Sequence, residues 1–277
     1  MSTVAVLGAG PIGAAVAQRL AVRARVGEVR FIDANVSVAS GKALDIMQAG
    51  PVERYDTRVT AMGDVLAATG ANVIVVADEV DGGEWEGDRG LAMMRQLARA
   101  GTTAAIVFAG PKQIWLMETC ARELKMRADK LVGSAPAAAA GAVRALAGLE
   151  LGLSTVDVTV VGRPPSFTIA WSTATADGVL VTERVPAHRL LAISDSVKRL
   201  WPPGPYAIGA ATAPIAEALI GGSRRRHAAL AILDGEFGAR GVAAMLPLSL
   251  GDGRILARVR PSLSASEGTG VFSTVSG

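Results

Sequence analysis

Residues 2–14 read STVAVLGAGPIGA, and the reading of this stretch decides the fold. Thr3 to Leu7 is a short apolar run rich in β-branched residues, the pattern of a buried strand. It leads into Gly8-Ala9-Gly10-Pro11-Ile12-Gly13, and the following AAVAQRLAVRARV has helical periodicity, with Ala17, Leu20 and Ala21 on one face. Strand, glycine turn and helix in that order open a phosphate-binding βαβ unit. Gly8 allows the tight bend, Gly10 lets a pyrophosphate approach the backbone because it has no Cβ, and Gly13 lets the helix sit close on the strand. The pyrophosphate then rests on free N–H groups at the helix N-terminus. A second apolar run, Val29-Arg30-Phe31-Ile32, ends in Asp33, twenty residues after Gly13. A carboxylate there can take both ribose hydroxyls of an adenosine and repels a 2′-phosphate, which points to NAD.

Outward from this unit, helices and strands alternate. Gly41 to Met47 reads as a helix, Arg58 to Ala61 as a short strand, and Ala71 to Ala77 (ANVIVVA) as a buried strand. Leu91 to Ala100 is a helix, Thr102 to Phe108 a strand, Glu118 to Lys125 a helix and Lys130 to Gly133 a strand. Short links between such elements make a doubly wound parallel sheet. Ala135 to Leu151 is Ala-rich and helical, and from Thr155 the pattern changes. Val156 to Val161 and Thr168 to Ser172 alternate like antiparallel strands. Leu190 to Leu200 and Ala213 to Ile220 read as helices, and Ala228 to Leu233, Val242 to Leu248 and Ile255 to Val259 as strands. The expected fold class is α/β, a Rossmann sheet over residues 1–134 followed by an α+β domain over 135–277. No low-complexity linker separates the halves, so they should pack tightly.

The chain has 277 residues, half of them apolar and 4% aromatic. Two stretches are uncharged enough to suggest a membrane span, Ser2 to Gln18 and Trp201 to Ala216. The first holds three glycines and a proline, the second four prolines, and neither supplies the roughly 20 helix-competent apolar residues a span needs. The expectation is a soluble cytoplasmic protein that binds neither membrane nor nucleic acid. The net charge is +3, spread out except at Arg224-Arg225-Arg226-His227, which reads as a solvated helix end or loop. Cys120 is the single cysteine, which excludes an intramolecular disulfide. Two histidines, one cysteine and no carboxylate pair at ligand spacing argue against a metal site.

Six stretches, GAGPIG, FIDAN, GKALDIMQAGPV, ELGLSTVDVTVVG, LDGEFGARG and LPLSLGDG, come in an order that resembles the malate and lactate dehydrogenase family over essentially the whole chain. The GKALD and ELGLSTVDV segments resemble its malate-type branch. The resemblance implies NAD as cofactor, a substrate held between the two halves against the nicotinamide, and a homo-oligomer, dimer or tetramer. The cofactor contacts expected are Gly8, Gly10, Pro11, Ile12, Gly13, Asp33, Ala77 and Ala109.

Carried over residue by residue, the family's chemistry is missing. Its proton acceptor is a His in a Gly-x-His-Gly-Asp stretch. The matching stretch is Gly162-Arg163-Pro164-Pro165-Ser166, with Pro164 at the His position. The Asp that orients that His matches near Ala139, and the Arg that binds the substrate carboxylate matches Ala142. Arg144 is two positions on, about 200° around a helix, and does not simply replace it. In the mobile loop, here Asp78 to Arg89, the Arg positions match Asp81 and Gly87, and Arg89 reads as a shifted remnant. The family's Thr-Asn-Pro is Ala109-Gly110-Pro111. His188 and His227 are the only histidines, and both fall outside the family's base position. The sequence therefore describes an NAD-binding pseudoenzyme with a binding or regulatory role and no identifiable catalytic residue. The alternative is an active NAD-dependent oxidoreductase on a non-carboxylate hydroxy or amino substrate, with Asp81, Glu84 or a bound water as base. An acidic loop disfavours an anionic substrate.

Overall fold

A computed structural model describes residues 2–81, 83–153 and 155–276. Gly82 of the acidic loop and Ser154 of the ELGLSTVDV stretch lie outside the described residues. Strand β1 (Thr3–Leu7) is buried throughout and is followed by helix α1 (Pro11–Arg23). Then come β2 (Glu28–Ile32), α2 (Val36–Glu53), β3 (Arg58–Met62), β4 (Val73–Val76), α3 (Gly87–Arg99), β5 (Ala105–Phe108), α4 (Ile114–Arg122) and β6 (Leu131–Gly133). These six strands are parallel, in the order β3-β2-β1-β4-β5-β6. The chain therefore changes direction across the sheet between β1 and β4, and ligands of such sheets bind in the crevice outside the strand ends at that point.

The second half consists of α5 (Ala135–Leu151), β7 (Val160–Arg163), β8 (Ser166–Ile169), the small hairpin β9 (Thr175–Ala176) and β10 (Val179–Leu180), and helices α6 (Val181–Arg184), α7 (Ala187–Arg199) and α8 (Pro205–Gly221). It ends with β11 (His227–Asp234), β12 (Arg240–Gly251), β13 (Arg254–Arg258) and α9 (Ala265–Ser276). Strand β11 joins β6 antiparallel through Leu230 opposite Gly133, and β12, β7 and β8 continue from it. Among the described residues one sheet of eleven strands thus runs through both halves. The expected division at Ser134 falls between β6 and α5.

Burial on both faces explains the apolar strand sequences. Val4 and Val6 of β1 join a core with Leu20, Phe31 and Leu219, whereas Ala5 and Leu7 join a second core with Leu97, Phe108 and Leu116. Helix α1 begins with Pro11, whose missing N–H costs nothing in the first turn. Helix α8 packs on α1 at very short range: a Cβ on Gly209 would stand 2.7 Å from the Ala15 carbonyl oxygen. Helix α5 stops at Gly152 in the left-handed conformation (φ 66°). No described helix is long and apolar enough to cross a membrane.

Several expected elements are corrected. Of Val156 to Val161 only the last two residues enter a strand, and before them Asp157 makes an isolated bridge with Thr175. The alternating pattern there arises because Val156 and Val158 are buried on either side of that single bridge, outside any continuous ladder. The strand expected over Thr168 to Ser172 ends at Ile169, and Trp171–Thr173 is a 3-10 turn whose indole N–H donates to Ser194 Oγ at 3.0 Å. Helix α8 starts eight residues before the expected Ala213, because Pro205 occupies its first turn, where its missing N–H costs nothing, and Pro214 is accommodated inside it. His227 opens β11 instead of lying in a linker.

Candidate functional site

The crevice between β1 and β4 is built by backbone first. Gly8 has φ +105°, and a Cβ on Gly13 would stand 2.0 Å from the Gly8 carbonyl oxygen, so turn and helix close as the sequence implies. Asp33, at the end of β2 and 4% exposed, accepts from three backbone amides. These are Ala9 N at 2.9 Å, Asn35 N at 2.8 Å and Val80 N at 3.0 Å. Lys42 on α2 donates to the Ala9 carbonyl at 2.5 Å. Pro11 is exposed at the start of α1, and Ile12 is buried. Ala77 and Ala109 are fully buried at the ends of β4 and β5, where the Ala77 carbonyl accepts from Gln113 Nε2 at 2.9 Å.

The decisive feature follows Ala77. Asp78 turns its carboxylate onto the N-terminus of α1, taking Ile12 N at 3.1 Å and Gly13 N at 2.9 Å. Its carbonyl oxygen accepts Gly10 N at 2.8 Å. Burial pushes the Asp78 carboxyl above its usual range, opposed by the Gly13 and Ile12 amides and by Lys42. From Asp78 the chain folds back as a strap. Glu79 N donates to Gly83 O at 2.9 Å, and Asp78 bridges to Glu84 in antiparallel register.

The far end of the strap is anchored too. Glu84 accepts Lys112 N at 2.9 Å, and its Oε2 lies 2.0 Å from where a Cβ on Gly110 would stand. Burial raises the Glu84 carboxyl despite Lys112. It raises Glu79 as well, against the opposing charge of Arg89. Arg89 pairs with Glu79, donates to the Glu84 carbonyl at 3.1 Å and stacks over Trp85 at 5.2 Å. It braces the strap from outside.

The expected cofactor residues are therefore brought together, with Asp78 and Val80 among them. The sequence signal for Asp78 was its place: an acid directly after the β4 run reaches the C-terminal edge of the sheet, where the α1 amides point. The backbone amides of Gly10, Ile12 and Gly13 are donors of the kind a diphosphate uses. With the strap seated they leave it no donors, and Gly10's open side is filled by Asp78 and Glu79.

The residues at the positions where the family resemblance expects substrate-side groups are placed as follows. Pro164 and Pro165 form the two-residue turn between β7 and β8. Ala139 faces the core of α5, and Ala142 is half-buried on the same helix. Arg144 donates to the Val158 carbonyl at 3.3 Å. Asp81 is exposed, and Gly87 begins α3. His188 is exposed in the first turn of α7, and His227 Nε2 lies 3.0 Å from Ser223 Oγ. Arg163 instead pairs with Glu118 of α4, which also accepts Ala243 N at 2.7 Å. Among the described residues no three His, Cys, Asp or Glu side chains are placed to hold a metal.

The fold is a doubly wound, Rossmann-type α/β sheet continued by an α+β second half. No family model matches the chain. It is 28% identical over 285 residues to a malate dehydrogenase of Thermomicrobium roseum, covering 95% of this chain and 92% of that protein. It is 29% identical over 286 residues to the malate dehydrogenase of Cytophaga hutchinsonii, covering 95% and 91%. The malate dehydrogenase structure from Salinibacter ruber superposes with TM-score 0.87 at 22% identity, covering 99% of this chain and 94% of that one. The chain is thus similar over most of its length to malate dehydrogenases, and it shares the fold of solved malate and lactate dehydrogenases.

Proposed function

We propose that this chain is a dinucleotide-binding homologue of malate dehydrogenase that has lost hydroxy-acid oxidoreduction and serves a binding or regulatory role. The observation that carries the reading is the turn at Pro164. A hydride leaves a hydroxyl carbon readily only when the hydroxyl proton is taken, and a positioned base contributes on the order of 10²–10⁴ in rate. Pro164 has no titratable group, and both histidines face elsewhere. Ala142, Asp81 and Gly87 stand where the family resemblance puts cationic groups, and a malate or oxaloacetate dianion would meet Glu79, Asp81 and Glu84 instead.

NAD is the proposed dinucleotide, with Asp33 on the adenosine ribose; the nicotinamide cofactor supplies hydride chemistry when bound. The proposed division is 1–134 for the dinucleotide half and 135–277 for the second, in a cytoplasmic homo-oligomer. One observation favours the alternative of an active oxidoreductase on a non-carboxylate substrate. Glu84 is a half-buried carboxylate with a raised pKa at the crevice mouth, a candidate base.

The test is turnover of malate, oxaloacetate, lactate and pyruvate by purified protein freed of host enzymes. The expected result is nothing above about one part in 10⁴ of an ordinary dehydrogenase. Robust oxaloacetate reduction would overturn the reading.

A further inference from the structure

We infer that the described strap residues, Asp78 to Val80 with Glu84 as their far anchor, are an internal stand-in for the dinucleotide's diphosphate, and that an anionic ligand enters the crevice only by displacing this strap. The inference rests on reading the glycine turn as a dinucleotide site.

Four observations converge on it. First, the Asp78 carboxylate does what a phosphate does at such a helix end: two oxygens accept two successive first-turn amides, Ile12 N and Gly13 N. Second, the backbone of Asp78 takes Gly10 N, the donor a tight diphosphate approach would use. Third, Val80 N reaches Asp33 at 3.0 Å, so the strap also engages the carboxylate proposed for the ribose. Fourth, the strap is closed at its far end by Glu84 on Lys112 N, and Arg89 bridges it from outside. One segment therefore engages both the diphosphate donors and the ribose acceptor.

Charge makes the two occupants exclusive. Asp78 is 7% exposed, and a diphosphate brought to the same amides would face this carboxylate at contact distance. Seated, the strap lowers the apparent affinity for a dinucleotide by the fraction of molecules in which it is open. An intramolecular occupant also gives the crevice a second stable state, which suits a protein that responds to a dinucleotide without turning it over.

The experiment compares the full chain with Asp78→Ala, by amide hydrogen exchange and by calorimetric titration with NAD⁺. The expected result is slow exchange at Ile12 and Gly13 in the free unmodified protein, faster exchange there in the variant, and NAD⁺ affinity raised about tenfold or more. Glu84→Ala, which releases only the far anchor, should move both readouts in the same direction by less, and serves if Asp78→Ala folds poorly. Unchanged exchange at Ile12 and Gly13 in Asp78→Ala would overturn the strap, whatever NAD⁺ does. So would unchanged or weaker NAD⁺ affinity in a variant that does bind it. Released amides with no NAD⁺ binding in any form would uphold the strap and overturn the NAD reading instead.

Discussion

The two sides of the crevice are built from different things. On the β1–α1–β2 side the glycine turn has its full backbone geometry, from the φ of Gly8 to the packing of Gly13, with the Asp33 carboxylate beside it and its amides held by Asp78. On the α5 and β7–β8 side the scaffold is equally well formed, yet the positions where the family resemblance expects chemistry hold Ala139, Ala142 and Pro164. Backbone sites are maintained by packing: a Cβ on Gly13 collides with Gly8 whether or not a ligand ever binds. Catalytic side chains have no such structural anchor, so a fold can outlast its chemistry. Retention of the glycine turn therefore speaks for the fold before it speaks for the ligand, and Asp78 shows how such a turn can be satisfied from within.

The sharpest way to break this contrast is chemical. If the substrate side is silent, His placed at position 164 should leave malate and oxaloacetate turnover at background, because the orienting carboxylate and the Arg set are absent from Ala139, Ala142, Asp81 and Gly87. A gain of about 10² or more in rate from Pro164→His alone, measured as NADH oxidation, would mean that the rest of the site survives in another guise. The next test concerns packing. Gly13→Ala should cost about 3 kcal/mol in denaturant unfolding, since the added methyl meets backbone at 2.0 Å and nothing flexible can give way. A third test addresses the seam between the halves. Glu118→Ala strands Arg163 and the Ala243 amide, and should cost about 2 kcal/mol, with Glu118→Gln recovering part through the retained acceptor.

Legibility in the sequence followed the same division. Strand β1 and helix α5 were readable to the residue, because the first is a β-branched run ended by glycine and the second lies between Ser134 and Gly152. Antiparallel elements of the second half were harder, since Val156 and Val158 are buried around a single bridge, Asp157 to Thr175, that does not extend into a ladder. Helix α9 escaped notice: ASEGTGVFSTVS holds two glycines and several β-branched residues, and its stability comes from burying Val271 and Val275. A capping box was the available signal, with Ser264 N donating to Glu267 at 2.8 Å and Glu267 N to Ser264 Oγ at 3.3 Å. Within the crevice, the glycines and Asp33 could be read from spacing. That Asp78 would fold back onto them could not, because a loop acid reads equally well as solvated until its partners are placed.

A smaller effect separates a seated strap from an open one by protons alone. Asp78, Glu79 and Glu84 all have carboxyl pKa values raised above 3.8, 4.5 and 4.5 respectively, with burial the largest cause each time. The charges facing them are mixed. Lys42 faces Asp78; Arg89, Asp33 and Asp81 face Glu79; and Lys112 and Glu86 face Glu84, which also feels Asp78. A raised pKa means that the seated strap binds protons more readily than the same segment exposed to water. Its contribution to stability is then fully present below the ordinary carboxylate range and is lost as pH rises through the raised values. Displacement by a dinucleotide must accordingly release protons, so NAD⁺ should bind more tightly as pH rises from about 4.5 towards 7, by a factor of about three or more. The check is calorimetric titration in two buffers of different ionisation heat, which counts the protons released. Asp78→Ala should shed part of that release and keep the share of Glu79 and Glu84. Proton uptake on binding, or an affinity that falls with rising pH, would mean that the three carboxylates are not transferred from burial to water and that the strap stays seated in the complex.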